Sequence, residues 1–263
     1  MTPHDILKRV PKTNCGECGY PACLAFAANV AKSGEDPQKC PYIDLEGFNV
    51  SSQGGVKLSQ LGRQHDLSLI LHLKDKIQAL DLAALTSSLK ATYTNNALHF
   101  PFLGQQVTVS KSTLLVDGEE PEDPRDQILL YNYIHFGGGK PPEPEWIGLE
   151  SVPNSISKIR TLATYCEQKL ATFFTGKSTE DIATLCEAVG GKCQTDGNAD
   201  LIAHIPVLPQ IPQQIHFWDE DQDDGFEAKV KVLYPANVMD YLDIESLVFT
   251  SERMAELILT AKG

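Results

Sequence analysis

The sequence predicts an α+β fold, in which a small helical module with four cysteines precedes a larger mixed domain with antiparallel strands. Helical and strand patterns follow one another without the regular alternation of a doubly wound sheet. Four of the seven cysteines lie within the first 40 residues, apart from the other three. We therefore divide the chain into a cysteine module (1–42), a connector (43–64) and an α+β domain of unknown function (65–263).

The module is predicted to contain two short helices. Thr2 can cap the first helix, and Pro3 suits its first turn. Pro21 opens the second helix and Gly34 ends it, with a glycine-rich loop before it. Residues 43–62 show no clean helical or strand period, and they are interpreted as a connector.

The larger domain shows apolar residues at helical spacing in some segments and in alternation in others. Two of its helices also carry start signals, with Asp123 as a cap and Ser178 with Asp181 as a capping box. In chain order, we predict a helix at 80–90, two strands within 97–110, helices at 123–138, 154–174 and 178–191, strands at 199–208, 214–219 and 226–234, and a closing helix at 243–262.

The composition is that of an ordinary globular protein, with 42% hydrophobic and 22% charged residues among 263. No apolar run is long enough to span a bilayer, and the first residues have no apolar leader core. A cytoplasmic protein is expected. The net charge of −13 disfavours a nucleic-acid partner, because phosphate binding needs a basic face.

The four N-terminal cysteines follow the spacing Cys15-x2-Cys18-x4-Cys23-x16-Cys40. Four thiolates are the ligand set of a structural zinc ion or of an iron–sulfur cluster. Zinc sites are commonly built from two Cys-x2-Cys pairs, and only the first pair here has that spacing. Three ligands within nine residues, and a fourth beyond a helix, favour the four separated corners of a [4Fe–4S] cluster, with zinc as the alternative.

The residues around these cysteines suit the same cofactor. Gly16 and Gly19 allow the loop to turn with its N–H groups inward. Cys23 is predicted in the first turn of a helix, whose positive end stabilises a thiolate. Pro41 follows the last ligand and closes the loop. Apolar residues of the helix are expected to shield the site from water: Leu24, Phe26, Ala27 and Val30.

This segment resembles a known family. Cys15, Cys18-Gly19, Cys23, the alanine-rich helix to Ala31, and Cys40-Pro41 are similar to the four-cysteine [4Fe–4S] module of the corrinoid iron–sulfur protein large subunit and of related electron-transfer proteins. The resemblance covers about 35 residues. It implies a low-potential, one-electron cluster in an anaerobe, and a redox partner such as a corrinoid protein or a methyltransferase.

The larger domain resembles the family catalogued as domain of unknown function 3786. The resemblance is carried by "QILLYNYI", "GGGKPPEPEWIGLESVP", "AVGGK" and the long stretch from "PVLPQIPQQIHFWDEDQDDGF" to "DYLDIESL", in that order. It implies no reaction. The sequence departs from the family where an acidic residue is expected before Phe226, because Gly225 stands there.

Catalytic motifs do not identify a reaction in the larger domain. "HFGGGKPP" is not a phosphate-binding loop, because Pro141 follows the lysine. "WDEDQDDGF" is not a calcium loop, because its glycine comes one position late and Val230 occupies the twelfth position; an acidic hairpin tip is expected. Cys166 and Cys186 are expected as buried helical thiols and Cys193 in a turn.

The leading hypothesis is an iron–sulfur redox accessory protein, whose cluster carries single electrons to a partner docked on the larger domain. One alternative is an enzyme in which the larger domain binds a small substrate that the cluster reduces. Another is a cluster-based redox or iron sensor. No catalytic residue is predicted.

Overall fold

The computed structural model describes residues 2–20, 22–33, 35–45, 53–195, 197–221 and 224–261. The chain splits into two compact units, Met1–Ser68 and Leu69–Gly263. We refer to them as the first and the second unit, and each is considered by itself. In the described part of the chain, no helix is both long and apolar enough to cross a membrane.

The first unit is built on helices α1 (Pro3–Leu7) and α2 (Cys23–Ser33), followed by a 3-10 turn (Pro37–Lys39). Both predicted helices are confirmed, although Pro21 and Gly34 lie outside the described residues. Thr2 and Asp5 form a capping box, in which the Thr2 hydroxyl accepts from the Asp5 N–H and the Asp5 carboxylate accepts from the Thr2 N–H. The apolar core of this unit contains Ile6, Val10, Cys23, Phe26, Ala27, Val30 and Cys40.

Helix α3 (Gln53–Gln78) covers part of the predicted connector. Residues 53–62 therefore form a helix that the pattern of the sequence did not predict. Gly54 and Gly55 explain the omission, because each glycine lowers helix propensity by about 1 kcal/mol relative to alanine. Residues 46–52 of the connector lie outside the described residues, and the domain bounds 1–42, 43–64 and 65–263 stay a prediction.

The second unit begins within α3, at Leu69. It continues with the short helix α4 (Thr86–Leu89) and a four-stranded antiparallel sheet in the order β1-β2-β3-β4. The strands are β1 (Thr92–Thr94), β2 (Ala97–Phe102), β3 (Gln105–Val109) and β4 (Leu114–Val116). β2 and β3 are the two strands predicted within 97–110. The turn between them has left-handed φ angles at Leu103 (49°) and Gly104 (82°).

A second sheet has the order β5-β9-β8-β7-β6 and is antiparallel throughout. Its strands are β5 (Trp146–Gly148), β6 (Lys192–Gln194), β7 (Leu201–Leu208), β8 (Ile211–Trp218) and β9 (Lys229–Pro235). The three long strands were predicted, and the short edge strands β5 and β6 were not. With the helices below, these sheets confirm the α+β class.

The remaining helices are α5 (Pro124–Phe136), α6 (Ile156–Leu162), α7 (Gln168–Phe174), α8 (Thr179–Glu187) and α9 (Ile244–Thr260). Asp123 and Ser178 cap α5 and α8 as predicted. The helix predicted at 154–174 is interrupted by a π turn (Ala163–Glu167). This turn places the Glu167 carboxylate where it accepts a hydrogen bond from the Val232 N–H of β9, at 3.1 Å.

Helix α9 is fixed on the second sheet by a buried polar network. The Gln213 amide of β8 donates to the Thr250 hydroxyl and accepts from the Ser251 hydroxyl at 2.9 Å. The Ser251 and Tyr234 hydroxyls lie 2.7 Å apart. All four side chains are buried, and each bond is needed because an unpaired buried polar group costs about 1–3 kcal/mol.

Candidate metal centre

The four N-terminal cysteines differ in exposure. Cys23 and Cys40 are buried in the apolar core of the first unit, and Cys18 packs against that core. Cys15 lies in the preceding loop and is exposed. All four are free thiols, so the structure gathers three of the predicted ligands at one small apolar core and leaves the fourth on its solvent side.

The loop between α1 and α2 is shaped by left-handed backbone positions. Asn14, Gly16 and Gly19 have φ angles of 53°, 79° and 81°. The Gly19 N–H donates to the Gly16 carbonyl at 2.8 Å, so the turn between these glycines contains Cys18. The turn-forming role predicted for Gly16 and Gly19 is confirmed, whereas the direction of their N–H groups towards a cofactor stays a prediction.

Cys23 is the first residue of α2, which confirms its predicted place in the first helical turn. Its N–H donates to the side-chain oxygen of Asn14 at 2.8 Å. Asn14 directly precedes Cys15, so one side chain connects the positions of Cys15 and Cys23. Asn14 was not predicted as a site residue, although a cap-forming amide beside the first cysteine was a signal for it.

The segment around Cys40 is connected to the same loop. The Tyr42 hydroxyl donates to the carboxylate of Glu17, which lies between Cys15 and Cys18, at 3.1 Å. This hydrogen bond is the main cause of a raised pKa of Tyr42, and the charges of Cys15 and Cys40 add to it. Tyr42 therefore lies near both ends of the cysteine set.

A second side-chain bridge joins the loop to the 3-10 turn. The Tyr20 hydroxyl donates to the Glu35 carboxylate at 2.5 Å, and the Lys39 ammonium lies 3.1 Å from the same carboxylate. The hydrogen bond from Tyr20, followed by that from Lys39, lowers the pKa of Glu35. The bond also raises the pKa of Tyr20. Through these two contacts, Glu35 connects Tyr20, which follows Cys18, to Lys39, which precedes Cys40.

The apolar side of the site is built by only three of the four residues that were expected to shield it. Phe26, Ala27 and Val30 are buried in the core that contains Cys23 and Cys40. Leu24 is 59% exposed, so its predicted shielding role is wrong. Successive residues of an α-helix point about 100° apart around its axis. Because Cys23 faces the core, the next residue, Leu24, points towards solvent.

The donor set agrees with an iron–sulfur cofactor in its chemistry. Four thiols supply the sulfur ligands that such clusters require, and the nearby carboxylates of Glu17 and Glu35 are occupied by tyrosine hydroxyls. Within the described residues, no three His, Cys, Asp or Glu side chains are grouped closely enough to hold one metal ion. The residues at 15, 18, 23 and 40 suit the cofactor by type and burial.

The other three cysteines lie in the second unit. Cys166 is buried in the π turn, and Cys186 is buried near the end of α8, as expected. Cys193 is the central residue of β6, so its predicted place in a turn is wrong. Cys186 lies in the apolar core of the second unit and Cys193 packs against the same core, and each thiol shifts the pKa of the other. This proximity was not predicted from the sequence.

The acidic segment after β8 forms the predicted hairpin tip. The backbones of Asp221 and Phe226 exchange two hydrogen bonds of 2.9 Å, and Phe226 is 69% exposed. Asp223, the third aspartate of the rejected calcium loop, lies outside the described residues.

Comparisons with known proteins match both parts of the chain. A family model described as "Domain of unknown function (DUF3786)" matches residues 81–257, and one described as "Putative Fe-S cluster" matches residues 10–42. Both resemblances drawn from the sequence are thereby confirmed, and an iron–sulfur cofactor is supported for the N-terminal segment. No solved structure matches the chain.

The curated relatives are much longer proteins. The corrinoid/iron-sulfur protein large subunit of Moorella thermoacetica is 26% identical over 144 residues, which cover 46% of this chain and 31% of that subunit. The acetyl-CoA decarbonylase/synthase complex subunit gamma of Methanocaldococcus jannaschii is 37% identical over 54 residues, or 20% of this chain and 11% of that subunit. The acetyl-CoA decarbonylase/synthase complex subunit gamma 1 of Methanosarcina thermophila is 42% identical over 62 residues, which cover 24% of this chain and 12% of that subunit. The chain therefore spans less than a third of the length of each.

Proposed function

The chain belongs to the DUF3786 family, and we propose that it is an iron–sulfur redox accessory protein that carries single electrons to a partner protein. Cys15, Cys18, Cys23 and Cys40 are the proposed ligands, and a [4Fe–4S] cluster is the proposed cofactor. The cluster type rests on the cysteine spacing and on the type of donor. When bound, such a cluster supplies one-electron redox chemistry.

The main support for an electron-carrier role is that the four thiols differ in their exposure to solvent. Cys23 and Cys40 are buried, Cys18 is half-buried and Cys15 is exposed. Buried thiols and apolar neighbours exclude water on one side of the site. The exposed loop of Cys15 leaves the other side open to a redox partner, as an electron carrier requires.

The side chains around the ligands have a positioning role in this proposal. Asn14 connects the Cys15 loop to the start of α2, and Tyr42 connects the Cys40 segment to Glu17. Both contacts act between ligand-bearing segments that are separated in sequence. They are expected to limit the rearrangement of the chain when the cofactor gains or loses an electron, which favours fast transfer.

The partner is proposed from the relatives. One is named as the large subunit of a corrinoid/iron-sulfur protein, and others as subunits of acetyl-CoA decarbonylase/synthase complexes. We propose that the chain acts together with such proteins in anaerobic one-carbon metabolism in the cytoplasm. The proposed electron acceptor is a corrinoid protein or a methyltransferase. Docking of this acceptor on the second unit is part of the proposal.

Anaerobic purification followed by iron and sulfide analysis tests the cofactor. About four iron and four sulfide per chain are expected, with an electron paramagnetic resonance signal after one-electron reduction. Cys23→Ala should lose most of the iron, whereas Cys166→Ala, a buried cysteine outside the module, should keep it. One zinc per chain without sulfide would refute the cluster.

The carrier role needs a separate measurement. The reduced protein is mixed anaerobically with a purified corrinoid protein, and oxidation of the cluster is followed by stopped-flow absorbance together with reduction of the cobalt. Equal one-electron changes in both spectra are expected. A cluster of the expected composition that exchanges no electron with the corrinoid protein would refute this role while leaving the cofactor in place.

A further inference from the structure

Cys186 and Cys193 are brought together by a tight reversal of the chain. Cys186 lies one residue before the end of α8, and Cys193 is the middle residue of β6. The Cys186 carbonyl accepts hydrogen bonds from the N–H groups of Val189 (3.2 Å) and Gly191 (2.9 Å). These two bonds fold the segment after the helix back towards it, so that Cys193 packs against the same apolar core in which Cys186 is buried.

The reversal depends on its two glycines. Gly190 has a φ angle of +79°, which is strained for other residues. A Cβ atom added at Gly191 would lie 2.4 Å from a side-chain carbon of Ile205 and 2.7 Å from the Cys186 carbonyl oxygen. The backbone therefore fixes the approach of the two thiols, and the contact does not depend on two flexible side chains meeting at a surface.

The two thiols differ in access. Cys186 is fully buried, whereas Cys193 is half-buried. Among the residues that the structure describes, β6 is an edge strand, and its Cys193 pairs with Ala203 of β7. A reagent from solvent therefore reaches Cys193 before Cys186.

The two thiols also differ in acidity. A hydrogen bond between them lowers the pKa of Cys193 and raises the pKa of Cys186. A lower pKa makes Cys193 the better nucleophile of the two, since the thiolate is the reactive form. Burial acts in the same direction on Cys186, as a further cause of its raised pKa.

We propose that Cys186 and Cys193 form a thiol–disulfide redox site, with Cys193 as the attacking and Cys186 as the resolving cysteine. Its substrate class is a disulfide, either that of a small thiol such as glutathione or that of a dithiol protein. The two cysteines lie in the second unit, whereas the four N-terminal cysteines lie in the first.

The exchange proceeds in two balanced steps. The Cys193 thiolate attacks one sulfur of the external disulfide, whose S–S bond breaks and whose other sulfur leaves as a thiolate. Cys186 then loses its proton and attacks the Cys193 sulfur, which expels the second external sulfur. The chain loses two electrons and two protons and gains an internal disulfide, while the external disulfide becomes two thiols.

Metal binding explains this pair less well. Two thiols leave a tetrahedral ion two ligands short, whereas two thiols are the full set that a disulfide needs. Cys166 provides an internal reference, because it is fully buried and burial raises its pKa well above the ordinary value. Under the same oxidant, Cys166 is expected to stay reduced.

The test uses the full chain, purified anaerobically and equilibrated with glutathione buffers from fully reduced to fully oxidised. After rapid alkylation, mass spectrometry identifies the state of each cysteine by peptide. The expected result is a Cys186–Cys193 disulfide in oxidised buffer, reversed in reduced buffer, with Cys166 unchanged. Because each peptide is read separately, the outcome at the N-terminal cysteines does not enter this result.

Two variants test the division of roles. Cys186→Ser should accumulate a glutathione adduct on Cys193, because the resolving thiol is missing. Cys193→Ser should leave Cys186 unmodified. Both retain a hydrogen-bonding group, and circular dichroism checks that they fold; if Cys186→Ser does not, Cys186→Ala takes its place. The proposal is overturned if both thiols stay free in oxidised buffer, or if Cys186 is the residue that takes up glutathione.

Discussion

Replacing Asp126 by asparagine should stabilise the second unit at neutral pH. Asp126 lies on α5 and is only 5% exposed. Its Oδ2 atom is 3.3 Å from the Nη2 atom of Arg253, but its Oδ1 atom is buried without a hydrogen-bond partner. Burial raises the pKa of Asp126 to about 6, against the opposing effect of Arg253.

The size of the effect follows from this pKa. The ordinary value is 3.8, so the folded state raises the pKa by about 2 units, at about 1.4 kcal/mol per unit. Between pH 3.8 and pH 6 the folded chain holds a proton that the unfolded chain has lost, so the free energy of unfolding falls as the pH rises. Asparagine resembles the protonated acid and does not ionise. The Asp126→Asn variant should therefore avoid the fall in the free energy of unfolding, which is up to about 3 kcal/mol.

Urea unfolding between pH 4 and pH 8 measures the difference between the variant and the wild type. The fluorescence of Trp146 and Trp218 reports on the second unit, because both tryptophans lie within it. The gain in stability should be small at pH 4 and should reach its full size above pH 7. Glu122→Gln, which removes a carboxylate from the exposed start of the same segment, serves as the control and should change little.

A free energy of unfolding at pH 7 that is lower for Asp126→Asn than for the wild type by about 1 kcal/mol or more would refute this prediction. That result would mean that the ion pair with Arg253 outweighs the desolvation of the carboxylate. A gain in stability that does not vary with pH would also contradict it, because the titration of this one group is the proposed cause.

Three further substitutions test the packing and the backbone. Gly138→Ala should destabilise the second unit by at least about 2 kcal/mol, because its Cβ would lie 2.3 Å from a ring carbon of Tyr241; thermal unfolding measures this, and an unchanged midpoint would contradict it. Gly19→Ala adds a Cβ with no neighbour within 4 Å but at a φ of +81°, so the cost is backbone strain of about 1–2 kcal/mol. It should speed the loss of iron to a chelator, whereas Gly176→Ala, with the same open space at a φ of +70° in the second unit, should not. Gln213→Leu removes one hydrogen bond from each of two buried hydroxyls of α9, which keep only their bonds to Leu247 and Tyr234. The loss of two buried hydrogen bonds should cost about 1–3 kcal/mol in urea unfolding, and wild-type stability would show that these bonds contribute little.

Local patterns in the sequence predicted most of the regular structure. The caps at Asp123 and Ser178, the alternation of β7 to β9 and the start of α2 near Cys23 each depend on residues a few positions apart. Such short-range rules are visible in a single sequence. Where local propensity opposed the structure, as at Gly54 and Gly55 in α3, the prediction failed.

The spacing of Cys15, Cys18, Cys23 and Cys40 favoured an iron–sulfur cofactor in the N-terminal segment, with zinc as the alternative, and the family match at residues 10–42 supports that cofactor. Only the tertiary structure decided what surrounds and connects those cysteines: the contact of Asn14 with Cys23, the bridge from Tyr42 to Glu17, and the exposure of Leu24. It also decided that Cys186 and Cys193 meet and that Asp126 is buried beside Arg253. These contacts depend on how segments that are distant in sequence pack together. The type and spacing of the residues in one segment do not show which side chain of another segment will contact them.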